Sequence, residues 1–177
     1  MVNPGIFFMN SRMAYLLRTR EDGTREASWR MWLLIFVTPG LFLLAAGFLA
    51  FESLSFASGA KMTTGEVVRV YHWDGWNPWD GATVNHSPVF RYTFTDGSTT
   101  EASTGQSSPN WNFAEGSRHE ILFRPGRKGD VKLNTFEALW ALPLTILLIG
   151  LATLLPALIA ATFLLRWLRG GAGPQPS

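Results

Sequence analysis

MWLLIFVTPGLFLLAAGFLAF, Met31 to Phe51, runs for 21 residues without a charge, bracketed by Arg30 and Glu52. A helix rises 1.5 Å per residue, so about twenty such residues cross a bilayer core of about 30 Å. A second uncharged run, Ala138 to Leu165, has 28 residues and exceeds that minimum, so tilt, kinking or frayed ends must absorb the excess. One run of this kind could be a buried core helix. Two in a chain of 177 residues leave too little polar chain to cover both, so the pair predicts two transmembrane helices. Trp32, Trp140 and Trp167 lie near the ends of the runs, where aromatic belts form. Pro39, Pro143 and Pro156 are candidate kinks, tolerable in lipid when neighbours satisfy the carbonyls they free.

Working outward, the runs divide the chain into a basic arm 1–30, a helix 31–51, a polar region 52–137, a helix 138–165 and a tail 166–177. The charged share of 16% is low for a soluble domain. The net charge of +2 hides an uneven distribution: the arm carries five Arg against three acids, the middle eight basic residues against ten acids, and the tail two Arg and no acid. Basic residues beside spans mark the cytoplasmic side, which predicts both termini in the cytoplasm and residues 52–137 outside a plasma or inner membrane. Small residues at Ser58-Gly59-Ala60 resemble a signal-peptide cleavage site. The apolar run and the basic arm before it are both long for a signal peptide, which favours a retained span. Ile6, Met9, Met13, Leu16 and Leu17 fall at helical spacing among Arg residues and suit either a helix lying on the inner leaflet or a poorly ordered arm.

The middle reads as four or five short antiparallel strands forming a small barrel or sandwich. Thr64 to His72 alternates, with Val68, Val70 and His72 on one face and Val67, Arg69 and Tyr71 on the other. Pro88 to Thr95 alternates more cleanly, with Phe90, Tyr92 and Phe94 facing the core. Asp96-Gly97 is a hairpin turn, Thr99 to Ser103 a polar return strand, His119 to Arg124 a further strand, and Val131 to Leu133 a short last one.

These residues resemble a known family. The first span, Thr64-Gly65-Glu66-Val67, the stretch Phe90 to Gly97, Glu115-Gly116, Ile121 to Pro125 and the second span are similar to the domain of unknown function 3592 family, small and mostly bacterial membrane proteins. The resemblance covers about residues 31 to 165. It implies the architecture above and brings no activity and no functional residues. Phe123-Arg124-Pro125 stands where the family usually has Tyr-Asp-Pro or Tyr-Asn-Pro, and the loop between the first two strands is longer here.

Trp73-Asp-Gly-Trp-Asn-Pro-Trp-Asp-Gly81 is the most unusual stretch and reads as a loop. Trp73, Trp76 and Trp79, with Asp80, are the candidate partner-binding residues, because Trp supplies large contact area with few rotors to freeze. The alternatives are that the Trp side chains cap the end of the β core or anchor in the membrane interface.

Other chemistry finds little support. With no Cys, disulfides, iron–sulfur clusters and thiol catalysis are excluded. His72, His86 and His119, with Asp74 or Asp80, are the only candidate metal ligands and share no recognised spacing. Glu66, Glu101 and Glu120 are not paired for acid–base work. Ser103, Ser107 and Ser108 lack a nucleophile elbow, and isolated Gly105 makes no phosphate loop. Arg124, Arg127 and Lys128 suit a solvated turn better than nucleic acid. Neither run holds the intramembrane charge that pumps and pores use, and two helices enclose no path unless the protein oligomerises. Small residues Ala46, Gly47, Ala50, Ala157 and Ala161 would let the helices pack closely. The expectation is a non-enzymatic membrane protein without a cofactor, whose outer β domain binds or modulates an envelope protein in an accessory or immunity-type role. The alternative is an assembly subunit acting through its spans.

Overall fold

In the computed structural model, residues 15–77 and 81–171 are described. The chain order is β1 (Leu17–Thr19), β2 (Arg25–Ala27), α1 (Trp29–Gly59), β3 (Lys61–Asn77), β4 (Gly81–Thr93), β5 (Thr99–Ser103), β6 (Arg118–Phe123), β7 (Val131–Leu133) and α2 (Phe136–Arg169). Two long apolar helices thus accompany a small antiparallel sheet. At 31 and 34 residues, both helices are long and apolar enough to cross a membrane. Only 11% and 17% of their most apolar stretches is buried, so neither is the covered core helix of a soluble domain. Both outrun the uncharged runs, because Arg30, Glu52, Glu137 and Arg166 are residues that a helix accommodates.

The chain forms two compact units, one of them Gly47–Thr145 and the other the two flanking parts. In the flanking unit, β1 and β2 make an antiparallel hairpin in which Arg18 faces Glu26. The hairpin over residues 17–27 is neither a helix nor a poorly ordered segment, which corrects both expectations for that part of the arm; positions 6, 9 and 13 lie outside the described residues. Gly23, with φ of 82°, closes the turn, a conformation glycine reaches without steric cost. The helices approach closely at Gly150, where a Cβ would stand 3.0 Å from Leu43 Cδ2. Ala46, Ala157 and Ala161 are buried as small-residue packing expects, whereas Gly47 is exposed with nothing within 4 Å of where a Cβ would stand. The hydroxyls of Thr153 and Thr162 bond back to helix carbonyls, which satisfies both donors on an apolar surface.

In the middle unit the strand order is β5–β4–β3–β6–β7, one open five-stranded sheet with β5 and β7 at its edges. This corrects the expected barrel or sandwich. Two strands are also far longer than expected: β3 has 17 residues and β4 has 13. The core lies against one face and gathers Val67, Phe90, Tyr92, Phe94, Ile121 and Phe123, with Trp111 from the loop before β6. Strict alternation would put Val67 and Val70 on opposite faces. A β-bulge between Val67 and Arg69 inserts one extra residue, so that both turn to the core. Asp96-Gly97 makes the expected turn, with Gly97 at φ of 80° and Phe94 N–H bonded to Ser98 O.

The opposite side of β6 carries Leu122, which packs on Phe56 of α1 and Leu139 of α2. Phe56 also lies beneath the cations of Arg124 (5.1 Å) and Lys132 (4.8 Å). Pro143 has no N–H, which leaves the carbonyl of Leu139 without its helical donor. Ser53 of α1, itself buried, donates its hydroxyl to that carbonyl at 2.6 Å. One hydrogen bond thus repairs the proline defect and ties α1 to α2.

Candidate binding surface

The surface begins where the sheet thins. β6 pairs with β3 only over Lys61–Glu66, and β5 with β4 only over Val89–Thr93. Beyond Tyr71 and Ser87 the long strands pair only with each other, as far as Asn77 opposite Gly81. Among the described residues a further tie is a bridge between His86 and Ser108. The expected loop at 73–77 is therefore a two-stranded arm. Asp-Gly pairs and Asn usually break strands, yet a ribbon open to solvent on both faces needs little packing from them.

Alternation sorts the arm into two faces. Tyr71, Trp73 and Gly75 share one with Thr83, Asn85 and Ser87; His72, Asp74 and Trp76 share the other with Ala82, Val84 and His86. Trp73 and Trp76 are thus back to back, and no single patch holds both. Trp73 is 46% exposed and Trp76 74%, and neither belongs to a core cluster, so these two do not cap the core. Trp79 and Asp80 lie outside the described residues. Tyr71 (49% exposed) was not singled out from the sequence, although its place two residues before Trp73 is the signal that finds it. Arg69 Nη1 donates to Tyr71 Oη at 2.9 Å, and its guanidinium lies 5.6 Å from the Tyr71 ring, so the aromatic row continues into a stacked cation. That bond is the main cause raising the Arg69 pKa above its usual value. Gly75 fits because Asn85 lies across it: a Cβ there would stand 2.2 Å from Asn85 Nδ2.

Elsewhere several of the candidate chemical groups have structural partners. Register places Arg118, Glu66, Arg91 and Glu101 side by side across four strands, a ladder of alternating sign. Arg91 meets Glu101 at 2.7 Å, and Arg118 lies 3.9 Å from Glu66. Arg118, Glu66 and Arg91 of the ladder line an open cleft of about 290 Å³ with Thr64 and Thr99. Glu120 accepts from Asn134 at 3.1 Å. Ser103 shares a hydrogen bond with Ser87, and Ser108 donates to Glu137. His119 bonds Ser117 at 3.0 Å and stacks on Phe113 at 4.0 Å. His72 and His86 are cross-strand neighbours with rings 6.5 Å apart. Among the described residues no three His, Asp or Glu side chains converge on a common point. Lys128 of the 125–130 turn bonds Asp96 at 2.7 Å, and that contact, then Ser98, hold the Asp96 carboxyl far below its ordinary value.

No family model, no curated protein and no solved structure matches the chain.

Proposed function

We propose that the chain is a non-enzymatic, two-span protein of the inner or plasma membrane. Both termini are cytoplasmic, and residues 52–137 form an outer domain whose β3–β4 arm binds an envelope protein in an accessory or immunity-type role. The resemblance to the domain of unknown function 3592 family, small bacterial membrane proteins, supports the arrangement. The observation that carries the binding role is the arm itself. It spends Tyr71, Trp73 and Trp76 where they add nothing to the core, and such exposed aromatic side chains anchor protein interfaces.

Ala82→Cys gives a single reporter on the Cys-free chain, at an exposed site free of the positive φ of Gly81. A membrane-impermeant maleimide applied to cells with a permeable outer layer labels Ala82→Cys if the domain is outside. Labelling only after inner-membrane lysis overturns the orientation. A photocrosslinker at Val84 then captures the partner, and Trp76→Ala abolishes capture without unfolding the domain. Capture that survives both Trp73→Ala and Trp76→Ala overturns the binding role.

The second reading, an assembly subunit acting through its spans, draws on the outward apolar residues Leu41, Leu44, Phe48 and Leu155. Partner loss on substituting those, with the arm variants silent, selects it.

A further inference from the structure

The hairpin before α1 is built onto the end of α2 within the same unit. Arg25 Nη1 donates to Trp167 O at 3.0 Å and its guanidinium lies 5.1 Å from the Trp167 ring. Gly23 O and Arg25 Cγ come within 2.7 and 2.8 Å of where a Gly171 Cβ would stand, so Gly171 lets the two segments touch. Arg25 thereby caps the carbonyl end of a helix long and apolar enough to cross a membrane.

This junction concentrates positive charge. Residues 15–30 and 166–171 hold six Arg against three acids, a balance of +3. The acids are largely spent internally. Glu26 pairs with Arg20 at 2.6 Å, and Asp22 accepts from Thr24, which lowers its carboxyl pKa. Arg18, Arg166 and Arg169 have no ion-pair partner among the described residues. Arg18 lies 5.9 Å from the Tyr15 ring and, with the paired Arg20 and Glu26, lines an open cavity of about 440 Å³. The same unit exposes Leu17, next in the chain to Arg18, and Trp29, the latter 68% exposed on the first turn of α1. Unpaired Arg beside an amphipathic Trp, at the end of an apolar helix, is the composition that suits a headgroup layer.

We propose that the hairpin and the end of α2 form a surface that selects anionic phospholipid headgroups, held in register by Arg25. The surface is complementary in charge to phosphodiester headgroups and continuous with the apolar helices that meet the acyl chains. This inference rests on the membrane reading of the two helices.

The test uses the full chain in bilayers carrying nitroxide-labelled phosphatidylglycerol or phosphatidylcholine, with the motionally restricted fraction read by electron paramagnetic resonance. The wild type prefers phosphatidylglycerol at least about threefold, and salt weakens the preference. Arg18→Gln with Arg166→Gln and Arg169→Gln reduces it to near parity. Lys at the same three positions keeps most of it, and Arg118→Gln with Arg127→Gln in the β domain leaves it unchanged. A wild type without preference, or a Gln triple variant that retains it, overturns the proposal. Inorganic phosphate that erases the preference at constant ionic strength also overturns it, in favour of a site for free phosphate. A protein that washes off membranes in alkaline carbonate overturns the membrane reading instead, and that outcome precedes the lipid measurement.

Discussion

β3 and β4 are each one continuous strand, but their two halves live under different rules. In the near half, flanked by β6 and β5, Phe90 is fully buried and Val67 and Tyr92 almost so. In the far half, Tyr71, Trp73, Trp76 and Val84 are exposed. The alternation is the same in both. What differs is what lies against the faces: two flanking strands, the Trp111 loop and the helix ends in one case, solvent in the other. Aromatic content alone therefore does not predict burial here. A side chain's fate is decided by whether a second layer exists above its face.

The largest effect that sharpens the contrast comes from truncating one aromatic in each half. Phe90→Ala removes a ring from the centre of the core and costs about 3–5 kcal/mol. Trp76→Ala, on the arm, stays within about 0.5 kcal/mol. Denaturant titration followed by circular dichroism measures both. Comparable losses would mean that the arm is part of the cooperative core, and would sink the binding role with it.

Next comes the repaired proline defect in the near region. Ser53→Ala leaves a buried carbonyl unpaired and costs about 1–3 kcal/mol. Replacing Pro143 by Ala in the same chain restores an N–H four residues after Leu139, so the double variant regains most of the loss. A double-mutant cycle with no coupling would show that Ser53 acts by packing alone.

Glycine offers a paired test across the same two strands. At Gly65 a Cβ would meet Ile121 Cδ1 at 2.7 Å and Phe90 Cβ at 3.1 Å, inside the core. Gly65→Ala therefore overpacks the core at a cost of about 1–3 kcal/mol. Gly75→Ala only displaces the Asn85 amide on the arm and costs less than about 1 kcal/mol. Reversal of that order would contradict the two-layer account.

The same contrast explains what the sequence made legible. Phe90, Tyr92 and Phe94 announce the core because polar residues separate them and a second layer demands that pattern. The bounds of β5 and β7 are clear because turns flank both. The arm was hidden because Asp74, Gly75 and Asn77 carry loop propensities, and pairing with β4 outweighs these without any packing pattern to betray it. The bulge at Val67/Arg69 is a backbone event, and side-chain identity does not encode it. The hairpin at 17–27 had its signal in Asp22-Gly23, but its three-residue strands are too short to show a period. Of the candidate site, Trp73 and Trp76 were visible as residues. Their placement back to back was not, since it depends on strand pairing through a stretch read as a loop.

The smallest effect tests the turn that closes the near half. Asp96 is held by Lys128 and by the side chain and backbone of Ser98, contacts that stabilise its charged form. Its folded pKa therefore lies below the unfolded value of about 3.9. A carboxyl depressed in this way stabilises the fold above the unfolded pKa, and the contribution fades as the pH falls below about 4. Both side chains are about half exposed, so the effect is small and screened by salt. Asp96→Asn keeps the turn but removes the titration. Wild type and variant thus differ in melting temperature at neutral pH and converge as the pH drops through the acid range. A variant at Asp96 that tracked the wild type at every pH would show that the turn is held by Gly97 and the backbone bonds alone.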